Sequence, residues 1–581
     1  MPTRREFLMV SSGVVAAAGL RGFAPRTRAA AAVSVAGSLT PYLDPMPRLT
    51  DNLVDITAGG SQTLTATLVQ RQVHSQFPKP TTLFGYTRVG GPAADTASAS
   101  YLGPILMAKR GHPVTVNYVN NLHDQDYLSV FGNANSYTQW TENHTGTGIL
   151  THLHGGFVAG VNDGNPFASS PAGYGSFQTA DYPNEQPAAG LWFHDHLLGA
   201  TRLNVVAGLA GGYLLRDDWD SGSRADLPQG PYELPLVIQD RRFNADGSLL
   251  YPTNPASLNG PWIPEYFGDV MLVNGKVWPH LDVEPAVYRF RFLNGCNARI
   301  MSLKMNAPMF IIGTELGLRP TAPLPASRLT MAPAERFDVL VDFTRLAGKT
   351  ILLQNSNPPT PISNPAPNLS QVMQFRVKPV ASGGALKTVI TTLPPPEATL
   401  TELISIGAPN PRGLSGVRNR MITLNEVGAN TPSWTMNLNG AGYMSATPHV
   451  EQLNVGEVED WYYVNTTPDT HPMHTHLFGF TVLGRYTFDV AGYVAKYGTT
   501  HGVPRQDVTT LVPFLKSALQ PPAPEEAGFK DTVKANPGQV TVVRAKFSLP
   551  TTATDTPQRY VHHCHIVEHE DNDMMERFEV S

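Results

Sequence analysis

The chain is poor in cysteine, in charge and in helical periodicity, and each shortage excludes something. Two cysteines in 581 residues cannot build a disulfide framework. Charged residues make up 15%, against about 25% in typical soluble proteins. The net charge of −5 is small and mixed, which argues against nucleic acid or an anionic membrane as partner. Beyond the N-terminal stretch, no segment is apolar over the ~20 positions a membrane span needs, so none is expected in the mature chain. Glycine and proline, in contrast, number 51 each. That punctuation suits many short strands joined by turns and would break a helical bundle. With 41% apolar residues the chain can form ordinary cores, and its length suggests three or four domains rather than disorder.

The N-terminus has the form of an export signal. Thr3-Arg4-Arg5-Glu6-Phe7-Leu8 precedes an apolar run from Leu8 to Leu20, and small residues follow at Ala29 to Ala32. Residues 1–36 therefore read as a twin-arginine signal peptide, with cleavage between about residues 30 and 36. The run is too short and too rich in Gly and Ser for a membrane anchor. A periplasmic, cell-envelope or extracellular location is expected.

The clearest strand pattern occurs three times. "GHPVTVNYVNN" alternates Val114, Val116 and Tyr118 with Thr115 and Asn117; "EPAVYRFRFLN" alternates Tyr288, Phe290 and Phe292 with Arg289 and Arg291; "GEVEDWYYVN" repeats the turn, the strand and the closing Asn. Period two with one apolar face marks a half-buried strand. The turns begin at Gly111, Glu284 and Gly456, a near-constant offset that predicts three related β domains in tandem. Turn-rich stretches place them at residues 38–217, 234–377 and 400–581, with Pro-rich chain between the second and third. Only "VAGYVAKYG" (490–498) has a helical pattern, within a surface excursion spanning 487–531.

Eighteen histidines scattered at random would give fewer than one His-x-His pair, and the sequence has four: His152/His154, His194/His196, His474/His476 and His563/His565. Residues two apart on a strand share a face, so each pair offers two imidazoles to one place. Eight imidazoles exceed what one tetrahedral zinc site uses. A cluster of metal ions is the simpler alternative, and imidazole suits copper, zinc, iron and nickel. Near the C-terminus lie Cys564, His569 and Met574, and His471 opens "HPMHTH". Two His, one thiolate and a weak axial Met are the ligands of a blue copper site. On an extended chain Cys564 points away from His563 and His565, as His471 does from His474 and His476, so one short segment can join two metal sites.

The segments "HLHGG", "WFHDH", "HPMHTHLFGF" and "HCHIVEHEDNDMM" resemble the four copper-binding motifs of multicopper oxidases, most closely the three-domain bacterial laccases of the spore-coat type, relatives of bilirubin oxidase and phenoxazinone synthase. The resemblance implies an all-β fold of three tandem cupredoxin-like Greek-key β-barrels holding four copper ions. It assigns His471, Cys564, His569 and axial Met574 to the type 1 copper. His152 and His474 fall to the type 2 copper; His154, His194, His196, His476, His563 and His565 fall to the type 3 pair. It further implies one-electron oxidation of phenols, aminophenols or related aromatic substrates near the surface, with His471 or His569 as the exposed edge, and reduction of dioxygen to water. Asp163 and Glu570 match the family's proton-relay carboxylates. "GFKDTV" (528–533) departs from the family in having Phe529 where Trp is common.

Other residues have plainer expectations. His562 and the scattered His74, His112, His123, His144, His280, His449 and His501 read as packing or surface histidines. Cys296 reads as a buried free thiol. Met301, Met305 and Met309 read as a core stripe, and Met575 as the neighbour rather than the axial ligand. A cuprous or manganous ion oxidase is the alternative enzyme and would need a carboxylate or Met docking site near His471. A non-enzymatic electron carrier or a copper nitrite reductase would leave most of the eight paired histidines without a purpose.

Overall fold

The computed structural model describes residues 35–581 apart from 124–125, 132–147, 167–172, 253–262, 321, 364, 384, 413–415, 429–434, 444–448 and 500–506. The export-signal stretch up to residue 34, His144 and His501 lie outside the described residues. Six sheets follow one another in three pairs, building three tandem Greek-key β-barrels. Among the described residues no helix is long and apolar enough to cross a membrane.

The thrice-repeated pattern forms the same element each time. Val114–Asn120, Val287–Asn294 and Val458–Asn465 are strands. Each runs parallel to an early strand of its barrel, with Gly60 beside Val114, Glu233 beside Arg289 and Arg418 beside Glu459. Each also pairs antiparallel with one later strand. The closing asparagines do identical work. Asn120, Asn294 and Asn465 are fully buried, and each side-chain oxygen accepts the backbone N–H two residues on, at 3.0, 3.0 and 2.8 Å. Asparagine is favoured there because its short amide bends the chain out of the strand while satisfying a buried donor.

Only the first of the three strands is half-buried as expected. Its burial alternates residue by residue, whereas Val287–Asn294 is covered on both faces. The cause lies in the connection from the first barrel, which lays Asp220 and Glu233 over the arginine face. Arg289 donates to both oxygens of Asp220 at 2.9 and 2.8 Å and to Asp338 at 2.9 Å. Arg291 and Arg216 both reach Glu233 at 2.8 Å. The charge that alternation assigns to solvent is buried because it is paired.

The helix Val490–Tyr497 forms as expected, and Asp489 caps it by accepting the Gly492 N–H. The excursion does more than cross the surface: Tyr493, Val508 and Leu511 pack with Met421, Tyr462 and Val542 over the outer face of a third-barrel sheet. Helices at Thr201–Ala207, Ala398–Ser405 and Val567–Glu570 had no sequence expectation. All seven residues of the first are buried, the polar Thr201, Arg202 and Asn204 included, so it has no exposed face to betray a period. The last is a single turn.

Burial raises the Asp220 and Glu233 carboxyls, but the guanidinium groups around them override it and hold both below the ordinary range. Carboxyls lowered in the folded state add stability above their unfolded pKa, begin to lose it as pH falls below that value, and have lost it once pH passes the lowered folded pKa. Thermal melts should therefore place Arg289→Met about 3–5 kcal/mol below the parent at neutral pH, with the gap narrowing below about pH 4.5. A gap that stays constant with pH would count against the ion cluster as its source.

Candidate metal centre

The four His-x-His pairs lie on four strands that meet between the first and third barrels. Thr151–His154 pairs with Ala189–Asp195, setting His152 opposite His194. His471–Thr475 pairs with Gln558–Cys564, setting His474 opposite His563 and Met473 opposite Cys564. The two barrels interleave their rings: His152 stacks on His476 at 3.9 Å and His154 on His474 at 3.7 Å between centroids. Gly164 makes one approach possible. Its φ is +70°, and a Cβ there would stand 2.1 Å from the Thr151 carbonyl oxygen, so only glycine lets the Asp163 loop lie against the first ligand strand.

All eight imidazoles are at most 2% exposed. Burial, reinforced by neighbouring imidazoles, holds His154, His194, His196, His474, His476 and His563 well below the ordinary histidine range and His565 at about 3. These rings are therefore neutral at physiological pH, as metal ligation requires.

Hydrogen bonds then decide which nitrogen faces inward. Nδ1–H of His152, His194 and His474 donates to the carbonyls of Asp163, Asp195 and Asp531 at 2.6, 2.8 and 2.9 Å. His476 donates Nδ1–H to Asp163 Oδ2 at 2.6 Å. Glu570 lies 3.1 Å from His196 Nδ1 and 3.3 Å from His563 Nδ1. His154 is turned the other way: its Nε2 faces Asp531 Oδ1 at 3.2 Å, leaving Nδ1 inward. Unpartnered atoms of the cluster include His152 Nε2, His154 Nδ1, His194 Nε2, His474 Nε2 and both nitrogens of His565. Buried acceptors without partners are costly unless a cation binds them.

Three compact imidazole triads result, two of them sharing His476. Nε2 atoms of His196, His476 and His563 form a triangle with sides of 3.2, 3.2 and 3.3 Å. The donor atoms of His154, His194 and His565 lie within 4.8 Å of one another, as do those of His152, His474 and His476. A fourth triad stands apart: Cys564 Sγ is 3.5 Å from His471 Nδ1 and 3.6 Å from His569 Nδ1, which are 3.2 Å from each other. Donors about 2.0–2.3 Å from one ion at trigonal to tetrahedral angles stand roughly 3.3–4.0 Å apart. The triangles fit metal ions, and the N/S donor set of the last fits copper. Burial pushes the Cys564 thiol up, but a bound cation deprotonates a coordinating thiol outright.

Met574 packs in one cluster with Cys564, Met473 and Ile566, whereas Met575 packs with Tyr443 and Val561. The two methionines thus face different sides, and Met574 lies on the Cys564 side. The expectation of an exposed imidazole edge fails. His471 and His569 are both fully buried. Thr467 Oγ1 covers His471 Nε2 at 2.6 Å, with Glu426 at 4.0 Å, and Glu265 lies 3.7 Å from His569 Nε2.

Sequence reasoning missed Asp531, Thr467, Glu265 and Glu426. Asp531 sits inside "GFKDTV", so a signal existed; the two glutamates belong to no motif and reach the site only by folding. Phe529 meets the middle barrel through its carbonyl, which accepts from Leu316 N at 3.1 Å and Thr314 Oγ1 at 3.0 Å. His562 is buried beside Trp461 and 3.2 Å from Glu576, a packing role. His74 and His280 bond backbone carbonyls, His449 pairs with Glu576 at 2.8 Å, and His123 stacks on Tyr174. Cys296 is buried and unbridged. Met301 and Met309 are core, with Met305 partly buried beside them.

Profiles described as multicopper oxidase match residues 140–219 and 417–581. The chain is 34% identical to a laccase of Bacillus subtilis, over 94% of this chain and 99% of that one. It is 36% identical to a laccase of Bacillus stratosphericus, over 88% and 92%. Among solved structures, the McoA multicopper oxidase of Aquifex aeolicus superposes with a TM-score of 0.70 at 25% identity, covering 94% of this chain and all of that one.

With Met574 on the thiolate side, Met574→Leu should raise the reduction potential of the thiolate site, because the axial ligand tunes it, while Met575→Leu should leave it in place. Redox titration of the visible thiolate band distinguishes them; equal shifts would remove Met574 from the axial position.

Proposed function

The chain belongs to the multicopper oxidases, a copper-dependent family of oxidoreductases with dioxygen as acceptor, and from that premise we propose that it is a laccase-like oxidase of phenols, aminophenols and related aromatic compounds. The observation that carries this is the pairing of an isolated Cys-His-His triangle with an eight-imidazole cluster, joined by the backbone of His563-Cys564-His565. Bound copper would supply one-electron oxidation at the thiolate site and four-electron reduction of dioxygen at the cluster. We assign His471, Cys564, His569 and Met574 to type 1, His152 and His474 to type 2, and His154, His194, His196, His476, His563 and His565 to type 3. The opposite orientation of Cys564 and its flanking histidines makes one backbone segment the link between sites.

Two carboxylates suit proton delivery. Asp163 touches both His476 and His152, and Glu570 lies between His196 and His563. Burial, and then Asp571, raise the Glu570 carboxyl well above the ordinary range. The barrels are taken as residues 38–217, 234–377 and 400–581, following a twin-arginine signal at 1–36 that would deliver the protein beyond the cytoplasm.

A second reading, oxidation of a cuprous, manganous or similar metal ion, is favoured by Glu265 and Glu426. Folding brings one carboxylate toward each type 1 imidazole, which is the docking group an ion substrate needs.

Copper-loaded protein given 2,6-dimethoxyphenol should consume one dioxygen per four electrons and release no peroxide. A blue protein with no uptake would overturn the laccase-like reading and leave the metal-ion reading. The paired substitutions Glu265→Gln and Glu426→Gln separate the two substrate classes. Ion docking predicts a rise in KM for the metal ion of about tenfold or more, near 1.4 kcal/mol, with phenol turnover little changed; equal losses for both would count against it.

A further inference from the structure

The middle barrel supplies none of the proposed copper ligands, yet it reaches the cluster. Arg336 opens the strand Arg336–Asp342 and grips Asp531 with two parallel bonds, Nη1 to Oδ1 and Nη2 to Oδ2, both 2.7 Å. Such a fork fixes a carboxylate in angle as well as distance. Asp531 in turn holds one histidine from each outer barrel. Its Oδ1 faces His154 Nε2 at 3.2 Å, and its carbonyl accepts His474 Nδ1–H at 2.9 Å. These are the two rings stacked across the barrel junction.

The first barrel also closes on the fork. Arg336 Nε donates to the Gly190 carbonyl at 3.2 Å. Gly155, at φ +82° in "HLHGG", leaves a space in which a Cβ would meet Arg336 Nη2 and Asp531 Oδ2 at 2.7 Å each. Further ion pairs run alongside: Glu335 to Lys534 at 2.7 Å and to Lys530 at 3.3 Å, and Glu315 to Lys530 at 2.6 Å. Arg336, Asp531 and their neighbours are buried, so this seam is shielded from water and salt.

We propose that Arg336 of the middle barrel is a positioning residue for the copper cluster, acting through Asp531 to hold His154 with Nδ1 inward and His474 with Nε2 inward. A carboxylate on Nε2 forces the proton onto that nitrogen and leaves Nδ1 as the only donor to a metal. Without the fork, Asp531 can rotate, and His154 can present either nitrogen. Outer partners of this kind orient ligands and raise their basicity.

The inference rests on copper being held by these imidazoles. The test compares the parent with Arg336→Lys, which keeps the charge but not the fork, and Asp531→Asn, which keeps the size but not the charge. Cluster copper affinity is measured by chelator competition, with the visible thiolate band as an internal control of folding in the third barrel. Both variants should keep the band and bind cluster copper about 10–100-fold more weakly. Unchanged cluster affinity in either folded variant, or parallel loss of band and cluster, would overturn the proposal. A measurement on the parent needs no variant to fold: copper loading should slow amide hydrogen exchange in 332–336 of the middle barrel as well as in the ligand strands. Protection confined to the ligand strands would also overturn it. A parent that binds no cluster copper would instead refute the functional assignment.

Discussion

The centre of this molecule depends on the desolvation of imidazole. Imidazoles packed this closely between two barrels cannot all take up a second proton, because neighbouring cations without solvent would repel one another strongly. Neutral rings, however, leave lone pairs that need an electrophile. The same burial that removes the proton therefore creates the demand for a metal ion. Each surrounding polar contact then settles which nitrogen is left to meet that demand. His154 differs from its neighbours because its partner, Asp531, meets Nε2 rather than Nδ1.

Charge is buried elsewhere on the same terms. The Arg216, Arg289 and Arg291 group is matched by Asp220, Glu233 and Asp338, and the seam at Arg336 by Asp531. Buried ion pairs seldom add much net stability over apolar packing, but they tolerate few alternative geometries. In this chain they lie where separate barrels must meet at a defined angle. Three barrels built on one repeated strand and one repeated asparagine turn would otherwise be nearly interchangeable surfaces.

The strand repeat and the histidine pairs were legible because both are local. Alternation, the closing Asn and the two-residue spacing of His-x-His are properties of a few consecutive residues. The arginine face of Val287–Asn294 was misjudged because its partners, Asp220, Glu233 and Asp338, lie 49 to 71 residues away along the chain. The helix Thr201–Ala207 is buried all round, its polar residues included, so periodicity could not reveal it. The exposed edge expected for His471 or His569 failed for a similar reason: Glu265 and Glu426 come from separate parts of the chain. Asp531 stood in a segment already singled out for Phe529, but nothing local distinguishes a carboxylate that orients a ligand from one facing water.

The sealing of the donors also sets a timescale. With every imidazole at most 2% exposed, no chelator or incoming ion can touch a donor atom while the barrels remain closed. Exchange must wait for a local opening of the junction, and such openings are rare where the contacts are buried and paired. The residence time of a bound ion is then governed by how often the protein breathes, and only secondarily by bond strength. Loading would be slow for the same reason, so ions acquired during folding would tend to be the ones that stay.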